Sequence, residues 1–359
     1  MSTDATTLAR RLVATPSHDD PDEVGSLLES WLREHTDATV ERDEVGNVFA
    51  RRGGGDCSLA LVGHHDVVPP DPGQQDESGY VVEERDGRLF GRGSADMKGS
   101  LAAMACAFRD SDPAGELVFA SFVGEEQGGT GCRAAIRDGF APEYAVVGEG
   151  STGYSAPGVT DVAVAHKGRR ASTITARGTA AHASEPGAGT NAIYRATDAV
   201  DVIRGLSTPE TTVRGKRVQG SLEVTEIHGG DAWNMIPDRC TVTVDERTVP
   251  GERAGLETVE LIEGVTWSVE QDLPPMACRD ERFAAVALAV AQAIQDGDPE
   301  HVVKPHATDA GWLAAEADTQ TLVIGAAEPG QAHTADESVS TAALERCQRL
   351  YRTLAERFP

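Results

Sequence analysis

The sequence predicts an α/β protein in which a discontinuous domain with a largely parallel sheet is interrupted by a smaller α+β domain. Three observations carry this expectation. Short apolar runs ending in glycine alternate with stretches of helical periodicity up to about residue 150 and again beyond about residue 275. The middle third instead reads strand, helix, strand, strand, helix, strand. At 359 residues the chain is long enough for two such domains.

The elements follow in chain order. Leu8, Leu12, Leu27, Leu28, Trp31 and Leu32 recur at helical spacing over 6–35, interrupted between Pro16 and Pro21, so two helices open the chain. The runs 59–62, 117–123, 144–147 and 321–324 stand before Gly63, Gly124, Gly148 and Gly325 and read as buried strands. Helical segments at 101–108 and 133–136 lie between them. In the middle third, 170–176, 221–227, 240–247 and 266–270 read as strands, with helices at 191–206 and 254–262, the split order of ferredoxin-like domains. Helices at 282–294 and 341–357 flank the 321–324 strand and restore the α/β pattern. The expected boundaries are 1–167 with 276–359 for the discontinuous domain, and 168–275 for the insert.

Composition narrows the function. Acidic residues number 58 against 32 basic ones, a net charge of −26, and such a surface repels phosphate backbones, so no nucleic-acid partner is expected. Only Lys98, Lys167, Lys216 and Lys304 are lysines, and acid excess with scarce lysine resembles proteins of salt-accumulating, halophilic organisms. No run approaches the roughly 20 apolar residues that span a bilayer, and the N-terminus lacks an apolar signal core, so a cytoplasmic protein without membrane association is expected. The six cysteines lie far apart without a C-x-x-C pair and read as reduced, mostly buried thiols.

Ligands in open α/β sheets collect at the carboxyl ends of strands, and here those ends carry metal-binding residue types. Gly63-His64-His65-Asp66, Gly124-Glu125-Glu126 and Gly148-Glu149 follow three of the runs, and His333 follows the fourth. Asp96 sits in a glycine-rich turn before a helix. Singly, each has an ordinary explanation: Asp96 as a helix cap, Glu125-Glu126 as a solvated turn. Together they form a nitrogen and oxygen donor set without sulfur, which suits zinc, with cobalt or manganese as substitutes. His64, Asp96, Glu126, Glu149 and His333 are too many for one four-coordinate site open to water, whereas two metals sharing Asp96 use them all. Glu125 is then left over as a general base. Asp66, two residues after His64, is placed to accept that imidazole's free N–H.

These motifs, G-H-H-D-V-V-P (63–69), G-R-G-S-A-D-M-K-G (91–99), G-E-E-Q-G-G-T-G (124–131), G-E-G (148–150) and A-H-T-A-D-E (332–337), resemble the signature set of the co-catalytic zinc aminoacylase and carboxypeptidase family. That family includes acetylornithine deacetylase and succinyl-diaminopimelate desuccinylase, and the resemblance runs over nearly the whole chain. It implies a zinc-exopeptidase-like, three-layer α/β/α catalytic domain carrying a ferredoxin-like lid or dimerisation domain. It further implies two Zn2+, with His64 and Glu149 on one, Glu126 and His333 on the other, Asp96 as bridge, Glu125 as catalytic base and Asp66 supporting His64.

In the insert, 178–193 is similar to the family segment whose histidine, here His182, helps stabilise the oxyanion. Asn234 in W-N-M-I-P and Arg247 in V-D-E-R resemble the pair that binds the substrate carboxylate, the ordinary alternative for Arg247 being an ion pair with Asp245 or Glu246. Thr308 and Asp309 resemble a G-T-x-D substrate loop in which Ala307 replaces the usual glycine; Gly150 replaces a common proline. With His182 on the insert, the resemblance implies a site completed by closure about 166–168 and 274–275, or by the second subunit of a homodimer joined through the insert. The expected reaction is removal of an N-acyl group from an amino acid in arginine or lysine biosynthesis. A dipeptidase or carboxypeptidase using the same site is the alternative. A metal-binding protein without turnover is disfavoured by the spare Glu125.

Overall fold

In the computed structural model, residues 4–55, 57–77 and 79–358 are described. The chain forms two compact units: one runs to His166 and takes in Met276–Lys304 and the chain from Thr308 onward, and the other is Lys167–Pro275 with Pro305–Ala307.

The larger unit is built on a nine-stranded sheet among the described residues. Its centre is parallel, in the order Glu116–Phe122, Ser58–His64, Tyr144–Val147, Gln320–Val323. Antiparallel pairs toward both margins make the sheet mixed where the sequence predicts a largely parallel one. Thr39–Arg42 and Val48–Arg52 form a hairpin that extends the sheet beyond Glu116–Phe122. A connection this short permits only antiparallel pairing, and Asp43 closes it by accepting from the backbone N–H groups of Gly46 and Asn47. On the other side, Val162–His166 runs antiparallel to Gln320–Val323 and parallel to His301–Lys304.

Alternation along Ser58–His64 divides the core. Ala60 and Val62 pack with Cys132, Ala135, Ala310 and Leu313, contributed by the helices Thr130–Arg137 and Asp309–Glu316. Gly63 faces Met97 and Leu101 at the opposite layer, where the buried helix Gly99–Asp110 packs between Ala5–Ala14 and Thr341–Arg357. The result is three layers, α/β/α. Asp4, Asp280 and Ser340 cap the N-termini of their helices, each accepting a backbone N–H of the first turn.

The smaller unit is an antiparallel sheet in the order Ser221–Gly229, Arg239–Arg247, Arg169–Arg177, Val265–Leu273, the ferredoxin-like arrangement. Ile174, Ala176, Val242 and Val244 alternate inward against Ala192, Ala196 and Ala199 of the helix Ala192–Gly205. The helix expected at 254–262 is only a 3-10 segment, Leu256–Leu261, confined between Gly255 and Gly264. A hairpin absent from the sequence reading, Glu210–Val213 with Lys216–Gln219, turns through Arg214 and Gly215, both left-handed at φ 49° and 75°. None of the six cysteines forms a disulfide among the described residues; five are buried and Cys57 is half-buried. No helix among the described residues is long and apolar enough to cross a membrane.

Candidate metal centre

Adjacent parallel strands end on the same edge of a sheet, and three of them deliver side chains here. His64 is the last residue of Ser58–His64, Glu149 lies two past Tyr144–Val147, and Glu125 and Glu126 sit in the turn after Glu116–Phe122. That turn is tight: the Gln127, Gly129 and Thr130 N–H groups all donate to Gly124 O. Gly124 is left-handed at φ 64°, and a Cβ there would lie 2.1 Å from Thr130 Oγ1, so only glycine fits. Asp96 precedes the helix Gly99–Asp110, and His333, at φ 61°, comes from the loop before Ser338–Ser340.

Asp96 joins the two histidines. His64 Nε2 lies 3.0 Å from Asp96 Oδ1 and 3.2 Å from Glu149 Oε1. His333 Nε2 lies 3.2 Å from Asp96 Oδ2 and 2.8 Å from Glu126 Oε1. One carboxylate therefore presents a different oxygen to each imidazole. Two donor groups result, His64 with Glu125 and Glu149, and Asp96 with Glu126 and His333, the ligand atoms of each lying within 4.8 Å of one another. The sequence reading leaves Glu125 outside the ligand set; the structure puts its carboxylate within reach of the first group.

The electrostatics of the cluster call for cations. Burial works against charge on His64, but hydrogen bonds to Asp66, Asp96 and Glu149 outweigh it and raise its pKa well above the ordinary value. Hydrogen bonds to Asp96 and Glu126 push His333 up to about 10. Burial tends to raise Asp96, yet the His333 and His64 contacts hold it well below the usual carboxylate range. Glu125 is pushed well up by burial and by the charges of Asp309, Glu149 and Asp96. Carboxylates packed this closely with two imidazoles draw protons in to balance them, and divalent cations supply that balance with the same nitrogen and oxygen donors. The residues fit a pair of metal ions.

Other side chains hold the cluster. Asp66 meets His64 Nδ1 through both its carbonyl, at 3.0 Å, and its carboxylate, Oδ1 at 3.5 Å, and the carboxylate also accepts the N–H groups of Glu125 and Glu126, both at 3.2 Å. His65 instead meets Ser121 Oγ at 2.7 Å, and burial pushes its pKa down to about 3, so the ring is neutral. The sequence reading missed two buried residues. Glu337 accepts from the N–H groups of Ala95 and Asp96 at 2.9 and 3.1 Å and from Arg92 Nη1 at 2.6 Å, fixing the Asp96 turn. It ends the A-H-T-A-D-E motif, which was its signal. Lys304 Nζ donates to Gly150 O at 3.0 Å and lies 3.8 Å from Glu149 Oε2; its signal was rarity, one of four lysines in the chain.

Gly150 has no room for a side chain: a Cβ would lie 2.7 Å from Ala327 O, which explains glycine where proline is common. Thr308 is buried and caps the helix Asp309–Glu316. Asp309 is buried with Oδ1 lacking a hydrogen-bond partner, and burial, with Asp66 and Glu149 nearby, pushes it up to about 7. In the smaller unit His182 is exposed, Nδ1 meeting Ser184 Oγ at 2.7 Å and accepting Ser184 N–H at 3.2 Å. The strand pair Ala181–His182 and Met235–Ile236 brings His182 beside Asn234, whose carbonyl accepts Ala183 N–H. Arg247 donates through Nε to Asp245 Oδ1 at 2.8 Å, the ordinary ion pair.

Residues 60–357 match the family described as Peptidase family M20/M25/M40. Acetylornithine deacetylase of Proteus mirabilis (strain HI4320) is 29% identical, the alignment covering 98% of this chain and 96% of that protein. The aminopeptidase PepT of Bacillus cereus superposes with a TM-score of 0.79 at 19% identity, covering 99% of this chain and 98% of that one. A dinuclear metal-binding peptidase of Bacillus subtilis superposes with a TM-score of 0.73 at 15% identity, covering 98% and 96%. With the match extending over most of its length and with these two donor groups at its strand ends, the chain belongs to the M20/M25/M40 peptidase family and is a metal-dependent amide hydrolase.

Proposed function

We propose that this enzyme removes an acyl group from the α-nitrogen of an amino acid, using two zinc ions held by His64, Asp96, Glu126, Glu149 and His333. The observation that carries the reading is the shared Asp96 carboxylate, one oxygen toward each histidine, with Glu125 beside it. Bound there, the ions supply Lewis acidity that acidifies water and polarises the amide carbonyl. Glu125 takes the proton of the attacking water on its carboxylate and returns it to the leaving nitrogen, its place beside the first donor group putting it within reach of both. Asp66 and Glu337 keep the ligand turns in place.

In the insert, Ser184 N–H points at His182 Nδ1, so the neutral ring carries its proton on Nε2, the donor for a developing oxyanion. Arg247 and Asn234 take the substrate's α-carboxylate, the guanidinium dividing its donors between that group and Asp245. We assign Thr308 and Asp309 to the substrate loop. In this reading closure about 166–168 and 274–275, or a second copy joined through the insert, brings His182 into use. The dimer is supported by the Ser221–Gly229 strand, which ends its sheet with Ile227 half exposed. The charge of −26 supports a salt-rich setting, and six cysteines, none in a disulfide among the described residues, a reducing one such as the cytoplasm, where deacylation for arginine or lysine biosynthesis takes place.

The test is amine release in molar potassium chloride with zinc or cobalt added, from N-acetylornithine, N-succinyl-diaminopimelate, other N-acetyl amino acids and simple dipeptides. Release from an acyl amino acid, lost on chelation, is expected and names the acyl group. Turnover of dipeptides alone overturns the deacylase in favour of an exopeptidase.

A further inference from the structure

Lys304 is a buried ammonium beside the first donor group. It ends the strand His301–Lys304, in register with His166 of Val162–His166, and only 7% of the residue is exposed. A buried lysine is costly unless its charge and hydrogen bonds are met. Here Nζ donates to Gly150 O at 3.0 Å and lies 3.8 Å from Glu149 Oε2. The other oxygen of that carboxylate, Oε1, lies 3.2 Å from His64 Nε2. The two oxygens of Glu149 thus face different charges, one the ammonium and the other the histidine.

We propose that Lys304 is a positioning residue for the metal centre: it holds the 149–150 turn and the outer oxygen of Glu149, so that the carboxylate offers a single oxygen on the His64 side. The proposal rests on the two-metal reading above. A free carboxylate can swing between one-oxygen and two-oxygen coordination, whereas one whose far oxygen faces a fixed cation cannot. Packing reinforces the same turn from the other side, since Gly150 sits against Ala327 with no space for a Cβ. Groups that orient metal ligands in this way typically contribute roughly ten- to a hundredfold to metal affinity. Because Lys304 reaches Glu149 and Gly150, its effect falls on the ion held by His64 and Glu149 more than on the one held by Glu126 and His333.

The test is titration of the metal-free full-length protein with Co2+, followed by calorimetry and by visible absorption, in the wild type, Lys304→Met, Lys304→Gln and Lys304→Arg. Two ions per chain are expected in the wild type. In Lys304→Met one of the two should bind roughly ten- to a hundredfold more weakly, with a changed cobalt spectrum for that ion alone, and Lys304→Arg should recover most of the loss. Lys304→Gln keeps a donor for Gly150 O without the charge, should show the same one-sided weakening, and carries the test if Lys304→Met does not fold. Two unchanged sites in a folded neutral variant overturn the proposal. So does equal weakening of both sites with a lowered melting temperature of the metal-free protein, which would mark Lys304 as a general packing residue. A wild type that takes up fewer than two ions overturns the two-metal reading and this proposal with it.

Discussion

In the larger unit the proposed functional side chains, buried or part-buried apart from the exposed His333, are partnered across long stretches of sequence, whereas in the insert they are exposed or half-buried and partnered close by. His64 meets Asp96 and Glu149, His333 meets Asp96 and Glu126, and Arg92 meets Glu337. His182 meets Ser184 and Arg247 meets Asp245, each two residues away. Contacts of the first kind exist only once the whole sheet has formed, so folding itself assembles the centre and fixes its geometry in advance. Contacts of the second kind can be exchanged for a ligand without unfolding anything. The difference divides the two units into a rigid reacting centre and a set of adaptable anchors.

Glu125→Gln should show the largest effect, because it removes the proton carrier while leaving five ligands in place. The expected fall in kcat is between about 10²- and 10⁴-fold, with KM little changed and two metals still bound by elemental analysis. If turnover survives, Glu125 is a ligand or a bystander. If metal is lost instead, its place in the first donor group reflects coordination.

Glu337→Gln probes the rigid half through stability. Glu337 and Arg92 form a buried pair, and breaking it leaves the buried guanidinium to the more exposed Asp71 at 3.3 Å, a cost of up to about 3 kcal/mol. Urea unfolding of the metal-free protein in constant potassium chloride should show the midpoint drop, and metal affinity should fall because glutamine keeps one acceptor oxygen where two served the Asp96 turn and Arg92. The matching change in the insert, Arg247→Ala, breaks a half-exposed pair and should shift stability by less than about 1 kcal/mol. Equal losses would dissolve the division between the units.

The same division governs what the sequence revealed. Strand ends followed by glycine located His64, Glu125, Glu126 and Glu149, because parallel neighbours must open on one edge and their apolar runs mark where they stop. The margins of the sheet were not legible: Thr39–Arg42 is four residues of mixed polarity whose place depends on a hairpin, and Met276–Ala277 is two residues paired only by the tertiary fold. Arg247 illustrates a different limit. Its ion pair and its assignment to a substrate carboxylate use the same guanidinium, so residue type cannot rank them. Lys304 and Glu337 went unseen because a group that holds a ligand from behind lies in no strand-end pattern; its role exists only in the contact.

His182→Ala should lower kcat by about 10²- to 10³-fold, as loss of an oxyanion donor does. Metal content and unfolding midpoint should stay at wild-type values, since the ring is exposed and meets Ser184, two residues away. A loss of metal would move His182 out of the insert's anchor class and into the reacting centre.

The smallest effect is expected at Arg247, and it bears on the anchors most directly. If the guanidinium binds the substrate carboxylate, Arg247→Ala removes a charge-assisted hydrogen bond that is equally strong in ground and transition states. KM should then rise about ten- to a hundredfold while kcat holds. Burial tends to raise the pKa of Asp245, but Arg169 and Arg247 hold it below the ordinary value, so it stays ionised through the neutral range and competes with the substrate for the same donors. Asp245→Asn should therefore tighten substrate binding by a few-fold, opposite in sign to Arg247→Ala. An Arg247 whose whole role is its pairing with Asp245 predicts something else: both variants leave KM where it was, and the carboxylate anchor must be sought elsewhere in the chain.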